Sequence, residues 1–186
     1  FSVQSDALDV VKHFGLKSTL VFSETLGYDF DYLVMITNKN TLKKIDKELL
    51  LSFRKFPTIV MGLAEGEKII KVLPIKDNNK IWVITQWGRI LIFDHAGLRP
   101  MGKTAAWVKA IDLQEGDKVA DIFSYSDEPF IFIHDDQNWK LVSVEDLYEQ
   151  KRGPMKRAQA WVICAEPKPT HPLRGAIAIV EWAVNL

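Results

Sequence analysis

A strand-sized hydrophobic pattern returns every 48 to 50 residues along this chain, and that recurrence leaves few folds open. Tyr32–Thr37 (YLVMIT) aligns with Lys80–Thr85 (KIWVIT) at an offset of 48, and residues 62–69 (GLAEGEKI) align with 112–119 (DLQEGDKV) at 50. Phe130–His134 (FIFIH) follows residues 81–85 (IWVIT) at 49. Residues 153–162 (GPMKRAQAWV) match 99–108 (RPMGKTAAWV) at 54, which implies an insertion of about five residues.

The clearest unit spans residues 80–123. It holds four apolar runs, at 81–85, 90–93, 105–111 and 119–123, divided by Gly-, Pro- and Asp-containing turns. Short runs rich in Ile, Val, Trp and Phe between such turns read as β-strands, and this unit is expected to form one antiparallel sheet. Strands are also expected at 19–23, 42–45, 57–63 and 68–75, and helix at most at 6–14 and 48–56. A single sheet of this kind cannot bury both faces alone, so the repeat predicts an all-β pinwheel or propeller of about four four-stranded blades. The whole chain, 1–186, is then one domain, with a partial blade at 1–30 and blades at 31–78, 79–128 and 129–186.

The 186 residues suffice for a substantial core, and six Trp with 47% hydrophobic residues suit a folded protein. No apolar run approaches the roughly 20 residues needed to cross a bilayer, so no membrane partner is expected. A single cysteine, Cys164, excludes an intrachain disulfide framework and suits a reducing compartment. The start at Phe1, without a signal peptide, suggests a fragment of something longer.

A formal net charge of +0 gives no global attraction to nucleic acid, so any such attraction must be local. Residues 99–109 carry Arg99, Lys103 and Lys109 without an acid, and residues 151–164 carry Lys151, Arg152, Lys156 and Arg157 without one. Lys43 and Lys44 lie in a basic cluster of the preceding repeat, and Arg54 and Lys55 occupy its long loop. A cationic stripe renewed once per repeat suits phosphates and would position duplex DNA without reading base edges. The plainer alternative is a solvated surface with scattered lysines. A propeller that docks proteins through the same rim is the second reading.

Residues 97–104 (GLRPMGKT) satisfy the phosphate-loop pattern, but that loop needs a helix starting near its lysine. Residues 105–111 read as strand, and the equivalent copy at 156–158 is KRA, so nucleotide hydrolysis is disfavoured and no cofactor is expected. His13, His95, His134 and His171 show no spacing for metal ligation, and no catalytic triad can be assembled. Trp87 and Trp139 are the tryptophans expected at the surface.

The segment from 81 to 122 resembles blades of the C-terminal β-pinwheel of the A subunit of bacterial DNA gyrase and of its topoisomerase IV counterpart. The matching positions are Thr85, Gly88, Arg89, Arg99, Pro100, Met101, Gly102, Val108, Leu113, Gly116 and Asp117. Lys103 stands where the family has Arg, and Trp107 replaces its usual Gly. The resemblance implies a non-catalytic domain that binds and bends duplex DNA around its outer rim, strand cleavage being done by a tyrosine elsewhere in the parent protein. It further implies a parent ATP-dependent type II topoisomerase in the bacterial cytoplasm, with the nucleoid. The implied partners are the ATPase B subunit together with the rest of the A subunit. The basic glycine-rich box with which gyrase wraps DNA fully has no counterpart in this chain.

Overall fold

A computed structural model describes residues 29–52, 59–103, 105–125, 130–150 and 162–179. The strand expected at 19–23 and the helical turn at 6–14 lie outside the described residues. Among these residues three antiparallel sheets follow one another along the chain. The first is built from β1 (Tyr32–Thr37), β2 (Thr41–Asp46) and β3 (Ile69–Ile75), and the second from β4 (Lys80–Thr85), β5 (Arg89–Asp94) and β7 (Val119–Tyr125). The third holds β8 (Phe130–His134), β9 (Trp139–Ser143) and β11 (Gly175–Ile179).

The fourth strand of each four-stranded sheet comes from the next repeat. The first sheet runs β3-β1-β2-β6, where β6 is Val108–Lys109, and the second runs β10-β5-β4-β7, where β10 is Val162–Ile163. The expectation that residues 80–123 close their own sheet is therefore corrected. Only two residues of the run at 105–111 are strand, and they pair with Thr41 and Leu42 of the preceding sheet. The physical reason is edge satisfaction, since β2 and β5 would otherwise expose unpaired N–H and C=O groups. The strand expected at 57–63 is irregular over its described part, 59–63.

Local chemistry explains the hairpin turns. Asn40 and Gly88 occupy the same repeat position and both have positive φ, 65° and 79°. Asn tolerates this left-handed geometry and Gly adopts it freely. At Gly88 the donated segment also approaches so closely that a Cβ would lie 2.0 Å from the Ala165 carbonyl oxygen. Short helices follow the second strand of a hairpin. In α1 (Lys47–Leu51) the Asp46 side chain accepts from the Glu48 N–H at 2.8 Å. Residues 53–58 lie outside the described residues, and with them the end of the helix expected at 48–56. A second helix, α2 (Val144–Gln150), forms where the sequence reading places none. Its signals are Ser143 before it, Glu145 and Asp146 in its first turn, and Val144 and Leu147 at helical spacing on its buried side.

The third sheet also departs from the sequence alignment by one residue. Lys80 pairs with Asp94 and Phe130 with Ser143, so the third hairpin is one residue shorter, and the buried Ile131 and Ile133 match Ile81 and Val83 at an offset of 50 rather than 49. A one-residue slip exchanges the two faces of a strand. Phe130, Phe132 and His134 therefore occupy the face that Lys80, Trp82 and Ile84 occupy in the second sheet. The sheets stack in one sense: Lys44 of the first reaches His95 beyond β5, and Lys80 of the second lies over the Tyr148 ring of α2. The main core runs through all three sheets, with Ile36, Leu42, Trp82, Val83, Ile90, Ile131 and Ile133 among its buried members. Strands β3, β7 and β11 converge, so β6 and β10 lie at the outer edges.

Candidate nucleic-acid interface

The loop carrying Arg99 and Lys103 runs from the second sheet to the outer edge of the first. Backbone and side-chain bonds fix its course. The Met101 N–H donates to the Lys44 carbonyl at 2.8 Å, and Lys43 Nζ donates to the carbonyls of Lys103 at 3.1 Å and Ala105 at 3.0 Å. Asn40 then clamps the segment just beyond β6, its Nδ2 donating to Ile111 O at 2.6 Å and its Oδ1 accepting from Ile111 N at 3.0 Å. Arg99 and Lys103 are thereby displayed in solvent on an anchored backbone. Among the described residues no ion pair engages either side chain. Lys109 is also exposed, and its Nζ bonds Asp112 Oδ1 at 2.5 Å.

Lys43 and Lys44 do not belong to the surface stripe. Lys43 is 1% and Lys44 3% exposed, which removes both from the expected phosphate contacts. Lys44 Nζ lies 2.8 Å from His95 Nδ1, donates to the His95 carbonyl at 3.2 Å and sits 3.9 Å above the Tyr32 ring. Burial pushes the Lys43 ammonium below its ordinary value, and it does the same to Lys44 against the opposing pull of Asp77, Asp94 and Asp46. Both sides of β2 are buried because the donated strand and its loop close over the edge. A sequence reading that assumes lysines are solvated has no means of seeing this. Arg54, Lys55, Arg152, Lys156 and Arg157 lie outside the described residues.

Arg89 and Asp117, matched to family positions, hold the second hairpin rather than face outward. Arg89 Nη1 donates to Asp117 Oδ2 at 2.7 Å, and the Trp87 N–H donates to Asp117 Oδ1 at 3.1 Å. In the first hairpin Glu67 plays the same part, accepting from Thr37 Oγ1 at 2.6 Å, from Thr41 Oγ1 and from the Ala64 N–H at 2.9 Å. Burial would raise the Glu67 carboxyl, but those hydrogen bonds and the Lys39 charge outweigh it and hold it below the ordinary 4.5. Trp87 and Trp139 are exposed, as expected.

The phosphate-loop pattern at 97–104 lacks the geometry that would make it a nucleotide site. His95–Gly97 is a 3-10 turn, residues 105–107 are irregular and Val108–Lys109 is strand, so among the described residues no helix starts near Lys103. No group of three or more metal-ligating side chains occurs among the described residues. Burial raises the Cys164 thiol to about 12, and its Sγ lies 3.2 Å from Gly88 O, so it packs against the hairpin as an unreactive group.

The chain is similar to the DNA gyrase A subunit of Staphylococcus epidermidis, 28% identical over 139 residues, covering 73% of this chain and 16% of the relative. With the DNA gyrase A subunit of Chlamydia pneumoniae it shares 30% identity over 125 residues, covering 66% of this chain and 15% of that protein. It therefore spans about one sixth of the length of these curated relatives. Its fold is that of the solved DNA gyrase A C-terminal domain, with a TM-score of 0.69, 19% identity, and coverage of 86% of this chain and 52% of that one. The C-terminal domain of DNA topoisomerase IV matches with a TM-score of 0.67 and 21% identity, over 81% of this chain and 48% of that one. The family described as DNA gyrase C-terminal domain, beta-propeller, matches residues 31–76 and 80–126, the two repeats joined by strand exchange, and the chain belongs to that family.

Proposed function

We propose that this chain binds and bends duplex DNA along the outer edges of its sheets, as a non-catalytic domain of a bacterial type IIA topoisomerase. The observation that carries the reading is the anchored loop at the outer edge, with Arg99 and Lys103 in solvent and outside any ion pair among the described residues. Cations held on a fixed backbone release counterions from DNA with little ordering cost of their own. Lys109 extends this surface, and Arg152, Lys156 and Arg157 supply the corresponding loop of the next repeat. Arg54 and Lys55 contribute from the long loop of the first repeat. Lys43 acts from beneath, positioning the loop. Phosphate contacts of this kind carry no base information, so preference among DNA sequences follows their deformability. The partners are the ATPase B subunit together with the remainder of the A subunit, and the bacterial cytoplasm is the setting.

Duplex binding measured by fluorescence anisotropy across a salt series tests the reading. Replacing Arg99 and Lys103 with Ala should lower the slope of log K against log salt by about two units, at about 0.9 per phosphate. An unchanged slope would take this loop off the DNA path. Insensitivity of the Arg152/Arg157 double variant as well would favour the protein-docking propeller. Saturable ATP binding that disappears on Lys103→Ala would instead establish a nucleotide site.

A further inference from the structure

The joint between the first two sheets holds a buried polar cluster to which phosphate binding gives no role. Lys44 on β2 and Ile92 on β5 share one register position, opposite Val34 and Trp82. Ile92 fills its place with hydrocarbon, whereas the first sheet puts an ammonium there. A buried charge adds little stability at a site where an aliphatic side chain also packs, so its chemistry needs another account.

Hydrogen bonding fixes the charge states. Lys44 Nζ approaches His95 Nδ1 at 2.8 Å, and an ammonium can only donate, so Nδ1 is the acceptor. The ring proton then sits on Nε2, which donates to the Asp77 carbonyl at 2.8 Å. His95 is thereby an uncharged bridge from β2 to the link between β3 and β4. Among the described residues, the titratable groups facing it are Lys44 from β2, Tyr32 from β1 and Asp77 from that link, with Asp94 preceding it in the chain. Burial opposes the Lys44 cation, while Asp77, Asp94 and Asp46 favour it. Burial and the Asp77 carboxylate hold the Tyr32 phenol above its ordinary 10.0, so it stays neutral. A second proton on the His95 ring would point two N–H donors at each other across a hydrogen-bond distance. Imidazolium and ammonium cannot keep this contact.

The same contact carries the loop. His95 opens the 3-10 turn that leads into it, and the Leu98 N–H closes that turn on the His95 carbonyl at 2.9 Å. Lys44 Nζ donates to the same carbonyl at 3.2 Å. The carbonyl of Lys44 itself accepts the Met101 N–H at 2.8 Å, midway between Arg99 and Lys103. We propose that His95 is a positioning residue for the loop at 99–103 and holds it only while uncharged: proton uptake parts His95 from Lys44 and frees the loop. The consequence for DNA rests on the function proposed above.

Nitrogen NMR of the histidine rings in the 186-residue chain at neutral pH should show His95 protonated on Nε2 alone, and a proton on Nδ1 overturns the proposal. Hydrogen exchange then follows the loop. Protection of the Leu98 and Met101 amides, relative to amides in β4, should fall about tenfold or more as pH drops from about 7.5 to about 5.5. Neither measurement needs a variant. His95→Asn, whose Oδ1 accepts from Lys44 but takes up no proton, should abolish the fall. Protection that is independent of pH in the parent refutes the proposal. So does an equal fall in His95→Asn, which would assign the proton to another group. Duplex binding over the same pH range separates this inference from the DNA reading. Affinity at fixed low salt should fall about fivefold in the parent, the ordering cost of two side chains on a freed backbone, and less in His95→Asn. Falling protection with unchanged affinity supports the role of His95 and takes the loop off the DNA path.

Discussion

At the scale of single residues, the repeat is held by a few positions whose roles depend on what crosses over them. Gly88 combines a φ of 79° with a carbonyl that a Cβ would meet at 2.0 Å. Gly88→Ala should cost about 3 kcal/mol or more in urea unfolding, since strain and backbone displacement add. Asn40 meets the same need differently, using its amide to bind both polar atoms of the Ile111 backbone. Lys43 is a buried peg whose ammonium serves two carbonyls of the loop beyond it. Lys43→Met should lower stability by about 1–3 kcal/mol through the lost hydrogen bonds. It should also weaken DNA binding without lowering the salt slope by a full contact, as expected of a residue that positions the loop and touches no phosphate. Anisotropy over the same salt series reads this.

At the scale of elements, the turn that opens β3 or β7 closes the neighbouring hairpin with a carboxylate. Glu67 does so for β1 and β2, and Asp117 for β4 and β5. The depressed Glu67 carboxyl means that the folded form favours the ionised group. Its contribution is complete above the ordinary 4.5 and is lost as pH falls from there through the lower folded value. Denaturant titrations between pH 6 and roughly 3 should show a loss of stability that Glu67→Gln makes shallower. The acidic turns are legible as turns in the repeat, GLAEGEKI and DLQEGDKV, but not as hairpin clasps, because their partners lie 26 to 30 residues away. Helix α2 shows the reverse. Its cap and acidic first turn are present in the sequence, but a single short helix leaves no trace in a period set by strands.

At the scale of the whole molecule, Asp121 joins the three sheets. Its Oδ1 accepts from Lys71 Nζ at 2.6 Å, and its Oδ2 accepts from the Ala176 N–H at 3.4 Å. Lys71, Asp121 and Gly175 occupy equivalent register positions on β3, β7 and β11. Asp121→Ala should lower stability by about 1–3 kcal/mol and broaden the unfolding transition as the sheets lose their shared contact. Thermal melts followed by tryptophan fluorescence and by circular dichroism should then separate, where they coincide in the parent. The sequence alone determined the strand-sized runs, the roughly 50-residue period, the family motif and the exposure of Trp87 and Trp139, because each is set by local pattern or by repetition. Only the tertiary structure decided which sheet each strand completes, which face of β8 looks outward, and that Lys43 and Lys44 are buried while Arg99 and Lys103 are not. Strand exchange is the physical reason: a chain that finishes the previous sheet with its next repeat puts the deciding contacts 60 or more residues apart, beyond the reach of any local pattern.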